Sequence, residues 1–225
     1  MNVEPRQEVA MDTKTKYITA LGMLCAIAYA VMIVFRIPVG SFLTYDPKDV
    51  IIGIGGFILG PMAAFLVASV VAFAEMVTVS DTGPIGAVMN MLASCSFSCT
   101  AAYLYKRKHT LGGAIFGLFM GGILMTIIMM LWNYLMIPLY LGVSRHIVMP
   151  MLFTLILPFN LIKSGLNMGF ILLLYKPIVN ALRRTQLLGE SNSHGLVHPR
   201  AGVIIFSAVL LASCVLLILI LRGIL

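Results

Sequence analysis

The chain has 225 residues, 60% of them hydrophobic and only 10% charged, with a mean hydropathy of +1.04. A soluble domain carries about a quarter charged residues, so the composition excludes a water-soluble globule and points to an all-α, polytopic membrane protein. The 15 Lys and Arg against 8 Asp and Glu give a net charge of +7, but these bases lie between apolar runs, where they set topology, and nucleic-acid binding is not expected.

Residues 1–16 are polar and run straight into a full-length apolar span with no small-residue cleavage site. They read as a cytoplasmic amino-terminal segment and not as a signal peptide. A spanning helix takes about 20 apolar residues, and the first runs from about Tyr17 to Ile37. Gly22, Ala26 and Ala30 form a stripe of small residues along it, one turn apart, which permits close contact inside the bundle or with a partner. Spacing alone favours the inside. A polar and aromatic loop follows, Pro38 to Lys48. The apolar run from Asp49 to Val79 is too long for one helix. Gly60-Pro61 breaks it into a short second span and a third, because proline cannot continue an interior helix ladder.

The fourth span covers about Pro84 to Tyr105 and closes on Lys106-Arg107-Lys108-His109. Its Cys95 and Cys99 lie one turn apart. With Cys25 and Cys214 they read as small packing residues, since no CxxC pair, His or acid stands beside them to build a metal or redox centre. The fifth span covers about Leu111 to Tyr140, and its methionines from Met120 to Met136 read as lipid-facing or adaptable packing. The sixth covers about Pro150 to Tyr175. A polar linker at 183–200 holds His194 and His198, a weak metal candidate with no further ligand beyond Glu190. The last span runs from about Ala201 to Leu221. Residues 17–182 are therefore expected to form a six-helix domain, with 201–225 an additional helix.

With the amino terminus in the cytoplasm, the inner side holds Arg6, Lys14, Lys16, Lys106, Arg107, Lys108, Lys176, Arg183, Arg184 and Arg200. The outer side holds Arg36, Lys48, Arg145 and Arg222. This excess of inner bases supports the orientation, and it makes the loop Pro38 to Lys48 external.

Leu157-Pro158-Phe159-Asn160-Leu161-Ile162-Lys163-Ser164-Gly165-Leu166-Asn167 places polar groups inside the sixth span. Asn160, Lys163 and Asn167 stand at i, i+3 and i+7 and so share one helix face. An ammonium at membrane depth costs about 3 kcal/mol on insertion scales, and a bound polar ligand is the leading compensation. Trp132, Asn133 and Tyr134 on the fifth span, Glu75 on the third, and Leu43-Thr44-Tyr45-Asp46-Pro47-Lys48-Asp49 in the first external loop, read as a lid, converge on the same outward-facing region. Amides donate and accept, Lys donates, and Trp and Tyr offer flat surfaces. That set suits a planar heteroaromatic ligand with an imide-like edge and a hydroxylated tail. Plainer readings stand beside it: Asn133 as an interhelical hydrogen bond, Glu75 as the counter-ion of Lys163 in a ligand-free scaffold, and the loop charges as interfacial. The chain lacks a GxxxxGK[ST] phosphate loop and the HExxH and GxSxG motifs, so no ATPase or common hydrolase machinery is expected. An integral membrane enzyme using Glu75, Lys163 and Asp46 would have no motif behind it.

In three segments the chain resembles the substrate-binding S components of energy-coupling-factor (ECF) vitamin transporters, and among them the riboflavin-binding RibU group. They are Leu157 to Lys163, with its Pro-Phe-Asn-x-x-Lys pattern; Asn133-Tyr134 followed by Pro138-Leu139-Tyr140-Leu141-Gly142; and Thr44-Tyr45-Asp46-Pro47-Lys48-Asp49. The likeness spans roughly residues 17–182. It implies a multi-pass protein of a prokaryotic plasma membrane that is not an enzyme and holds no cofactor. Riboflavin is the implied cargo; S components for other vitamins, such as thiamine or a pyridoxine-like compound, share the scaffold. Asn133, Asn160 and Lys163 would then bond the isoalloxazine ring, while Leu43, Thr44 and Tyr45 cover it. The stripe Gly22/Ala26/Ala30 would face a transmembrane T component driven by two ATPases. Glu75 and the seventh span lie outside the resemblance.

Overall fold

The computed structural model describes residues 13–39, 43–79, 83–184, 204–205, 207–212 and 214–215. Helix α1 covers Thr13–Val34, starting inside the segment expected to precede the first span. A two-stranded antiparallel hairpin follows, β1 (Ile37–Val39) and β2 (Leu43–Tyr45), with Ile37 opposite Tyr45 and Val39 opposite Leu43. The expected loop thus contains a ribbon. Its alternation buries Leu43 and Tyr45 and leaves Thr44 between them half-buried.

Helix α2 (Lys48–Leu59) is the short second span. Its 12 residues reach about 18 Å at 1.5 Å per residue, less than a bilayer core of about 30 Å. It sits at the centre of the bundle, buried from Lys48 to Phe57. Glycines make this possible: a Cβ on Gly56 would stand 3.0 Å from both Ala102 Cβ and Ala64 Cβ. Gly60, at φ 97°, then turns the chain, and Pro61 opens α3 (Pro61–Thr78) at its first turn, where no backbone N–H is missed. Helix α4 covers Gly83–Lys108 and α5 Leu111–Leu141. Between them Thr110 caps α5 by accepting from the Gly113 backbone N–H at 3.1 Å. The sixth span is a composite: α6 (Arg145–Met151), a π-helical turn (Leu152–Ile156) and α7 (Leu157–Arg184). The wider turn falls just before Pro158, which has no N–H to give the ladder and would crowd a regular one.

Among the described residues five stretches are long and apolar enough to cross a membrane: Lys14–Val34, Pro61–Thr78, Gly83–Lys108, Leu111–Leu139 and Arg145–Tyr175. The core has two main parts that share α2. On one side Ile51 and Ile52 pack with Leu24 and Ala28 of α1 and with Ala64, Val67 and Val71 of α3. On the other, Val50, Ile54 and Phe57 pack with Phe97, Leu118, Met125 and Ile171 of α4, α5 and α7. Large apolar side chains such as Phe73, Val77, Phe119 and Leu131 face outward, as lipid-facing positions require. Helix α7 continues to Arg184, past the expected start of the polar linker; the rest of that linker, with Glu190, His194 and His198, lies outside the described residues. The described residues of the appended span, between 204 and 215, are helical.

Candidate functional site

Lys163 is 6% exposed, and Asn160 and Asn167 are buried beside it. The i, i+3, i+7 face of α7 therefore points into the protein. The end of β2 and the start of α2 bring Asp46, Lys48 and Asp49 to the same depth, all buried. Lys163 Nζ stands 3.5 Å from Asp49 Oδ2 and 3.9 Å from Asp46 Oδ1. Asp49 also accepts hydrogen bonds from the Ser94 hydroxyl of α4 and, at 3.3 Å, from Asn167 Nδ2. The Tyr45 hydroxyl closes the chain, donating to Asn167 Oδ1 at 3.2 Å.

Glu75 does not neutralise Lys163. It pairs with Lys48, which also stands 3.4 Å from Asp46. The alternative in which Glu75 is the counter-ion of Lys163 is not what forms: two linked pairs take its place, because the first residues of α2 lie between α3 and α7 and meet both. Burial alone would raise the Asp46 carboxyl. Lys48, then Lys163, and further Arg36 outweigh it and hold that carboxyl below the ordinary value. Burial, and then the Asp49 and Asp46 carboxylates, push the Tyr45 phenol up, so it stays a donor.

Asn133 and Asn160 make no hydrogen bond to this ionic cluster. Each turns its Nδ2 back onto its own helix, to Met129 O at 2.7 Å and to Ile156 O at 2.8 Å. Among the described residues neither side-chain oxygen accepts a hydrogen bond, so Asn133 makes no interhelical bond there. Trp132 is half-buried against the core cluster of α4, α5 and α7. Leu43 and Tyr45 are buried in the hairpin. Gly22, Ala26 and Ala30 are exposed, and Gly22 has no neighbouring atom where a side chain would project. Helix α1 buries Ala20, Leu24, Ala28 and Met32 instead, so the stripe does not serve packing inside the bundle. The reading from spacing is corrected on this point.

Sequence reasoning placed Lys48 and Asp49 in the loop over the site without giving either a role in it, and it missed Ser94. Lys48 and Asp49 had a signal, two charges directly heading an apolar run; Ser94 had none among the small polar residues of α4. Among the described residues no cluster of His, Cys, Asp and Glu could hold a metal ion.

The family model "ECF transporter, substrate-specific component" matches residues 16–179. The chain belongs to that family. This S component is similar to the riboflavin transporter RibU of Staphylococcus aureus (strain TCH60), 33% identical over 187 residues that cover 80% of this chain and 98% of the relative. It is also similar to the riboflavin transporter FmnP of Bacillus subtilis (strain 168), 30% identical over 162 residues, 67% of this chain and 85% of the relative. A solved S component of a bacterial ECF transporter superposes with a TM-score of 0.64 at 33% identity, covering 76% of this chain and 99% of that one. The protein is accordingly a membrane transport subunit with the S-component fold, and not an enzyme.

Proposed function

We propose that this S component captures riboflavin from outside the cell and delivers it inward with a T component and two ATPase subunits. The observation that carries the reading is Lys163, buried on one face of α7 with Asn160 and Asn167, in a chain similar to proteins named as riboflavin transporters. Lys163 is neutralised by carboxylates 3.5 and 3.9 Å away, beyond good hydrogen-bond length. Its ammonium is thus tolerated in the protein interior while its N–H groups can turn to a ligand carbonyl. The side-chain oxygens of Asn133 and Asn160 supply acceptors for an imide N–H. Leu43, Thr44 and Tyr45 act as the cover, with Trp132 as an apolar wall. Asp46 acts by holding Lys163, Asn167 by holding the hairpin through Tyr45, and Glu75 by holding Lys48 at the start of α2.

The exposed stripe of α1 is the face offered to the T component, where small residues let a partner helix approach closely. The amino terminus lies in the cytoplasm, by the distribution of Lys and Arg, and the hairpin faces outward. The test is direct. Protein purified in detergent is scanned for flavin absorbance, its released ligand is identified by mass, and stripped protein is titrated with riboflavin while flavin fluorescence is followed. Released riboflavin or saturable quenching supports the reading. A colourless protein that leaves riboflavin fluorescence unchanged refutes it and favours another vitamin.

A further inference from the structure

The appended helix lies beyond the family match, which ends at residue 179. It is seated on α7. A Cβ at Gly165 would stand 2.9 Å from Cys214 Sγ, and one at Gly169 would stand 2.8 Å from Leu211 Cγ and 3.5 Å from the Ser207 carbonyl oxygen. Position 165 meets 214 and position 169 meets 211 and 207, so the two helices run antiparallel. Gly165-xxx-Gly169 is the small-residue spacing that lets two membrane helices approach closely, and here the occupant is a segment of the same chain.

This seat adjoins the hairpin. Cys214 is buried in one cluster with Tyr45, Ile162 and Leu166, and Leu211, Val39 and Phe159 pack against it. Tyr45 is thus held on two sides. Its hydroxyl bonds Asn167 on the inward face of α7, and its ring shares an apolar cluster with the appended helix. Removing the helix would expose Gly165 and Gly169 and strip one wall from Tyr45. Val39, on the other strand of the hairpin, packs against the same cluster.

We propose that the appended helix, through Cys214 and Leu211, is a positioning element of the binding site: it pins the Tyr45 hairpin against α7 and slows the escape of the bound vitamin. The identity of the vitamin rests on the reading above; the pinning does not. The stripe of small residues on α1 is left exposed, so the pin and the partner face are separate.

Two comparisons test this by chase of prebound radiolabelled riboflavin. A chain ending at Arg200 is expected to release it about tenfold faster than the full chain, with the change in the dissociation rate and little in the association rate. Gly165→Cys supplies the second comparison within one folded protein. Its added Cβ falls at a distance from Cys214 Sγ that suits a disulfide, while Cys25, Cys95 and Cys99 lie on α1 and α4. The oxidised form is expected to release the flavin at least about threefold more slowly than the same protein after reductant. Equal release in both comparisons overturns the proposal. A third measurement needs no flavin: with Thr44→Cys, a water-soluble maleimide should label the hairpin faster in the shortened chain, and equal labelling overturns the proposal also. If the full chain fails to bind riboflavin, the vitamin assignment fails, and the labelling alone decides the pinning.

Discussion

Replacing Asp49 by Ala probes the pairing that the structure gives Lys163. Asp49 is fully buried, with Lys163 Nζ 3.5 Å from its Oδ2. At an effective dielectric constant near 20, charges at that separation attract by about 5 kcal/mol, most of it offset by the cost of desolvating both. Removing one partner of a buried pair leaves the other uncompensated and costs about 3–5 kcal/mol. The Ser94 hydroxyl and the Asn167 amide would lose their acceptor as well. Asp46, 3.9 Å from Lys163, limits the loss, which places Asp49→Ala near the lower end. For a chain of this size that is a fall in thermal midpoint on the order of 10 °C. Asp49→Ala combined with Lys163→Met removes both charges and should recover about 2 kcal/mol relative to the sum of the single losses.

The matching cycle on α3 separates two wirings. Glu75→Gln with Lys48→Met should show coupling of the same sign, because those two side chains pair directly. Glu75→Gln with Lys163→Met should be close to additive. The assay is the thermal midpoint of detergent-purified protein without flavin. Additivity for Asp49/Lys163 together with strong coupling for Glu75/Lys163 would refute the pairing and restore the scaffold in which Glu75 neutralises Lys163.

Three further outcomes are expected. Lys163→Ala and Asn160→Ala should each weaken riboflavin binding at least about tenfold with insertion unchanged, read by fluorescence titration and membrane fractionation; unchanged affinity in both removes them from the site. Ala26→Trp or Ala30→Trp should abolish uptake by cells while sparing binding by the purified protein, since a large ring on that exposed face blocks close helix contact; surviving uptake refutes the docking face. Acid should destabilise the protein through Asp46, which lies between β2 and α2, outside the spans. Its folded pKa is held below the ordinary carboxylate value of about 3.9, so its contribution is present above that value and is lost as pH falls through the lower folded value. Thermal midpoints taken from about pH 5 downward should fall below about pH 4, and Asp46→Asn should flatten that slope; an unchanged slope refutes the assignment to Asp46.

The helices were legible because apolar runs end on residues with a mechanical effect. Gly60-Pro61 divides α2 from α3, and Lys106 to His109 closes α4. The inward face of α7 followed from the helical period alone. The hairpin was hidden by the brevity of its strands, three residues each. The π-helical turn before Pro158 was hidden because proline signals a disturbed ladder but not its form. The direction of the α1 stripe depends on which side of α1 meets α2 and α3, and spacing does not encode that. The ion pairs were illegible for a like reason: two lysines and three carboxylates allow several pairings, and only the position of the α2 start between α3 and α7 selects one.

That position also ties the two sides of the bundle together in physical terms. Helix α2 carries both main parts of the core, one toward α1 and α3 and the other toward α4, α5 and α7. Its first two residues hold Glu75 on α3 and Lys163 on α7. Moving α1 and α3 away from α7 would separate one of these pairs, Lys48–Glu75 or Asp49–Lys163, inside a low-dielectric interior and open the apolar cluster on that side of α2. Each separated pair would cost several kcal/mol, against a total stability of order 10 kcal/mol for a folded domain. Motion between the exposed stripe of α1 and the inward face of α7 is therefore disfavoured. The hairpin is held differently, by the Tyr45 hydroxyl, the apolar cluster around Cys214 and the pairs made by Asp46. Opening it would break these contacts and leave both main parts of the core intact, so a ligand held at Lys163 as proposed would enter there.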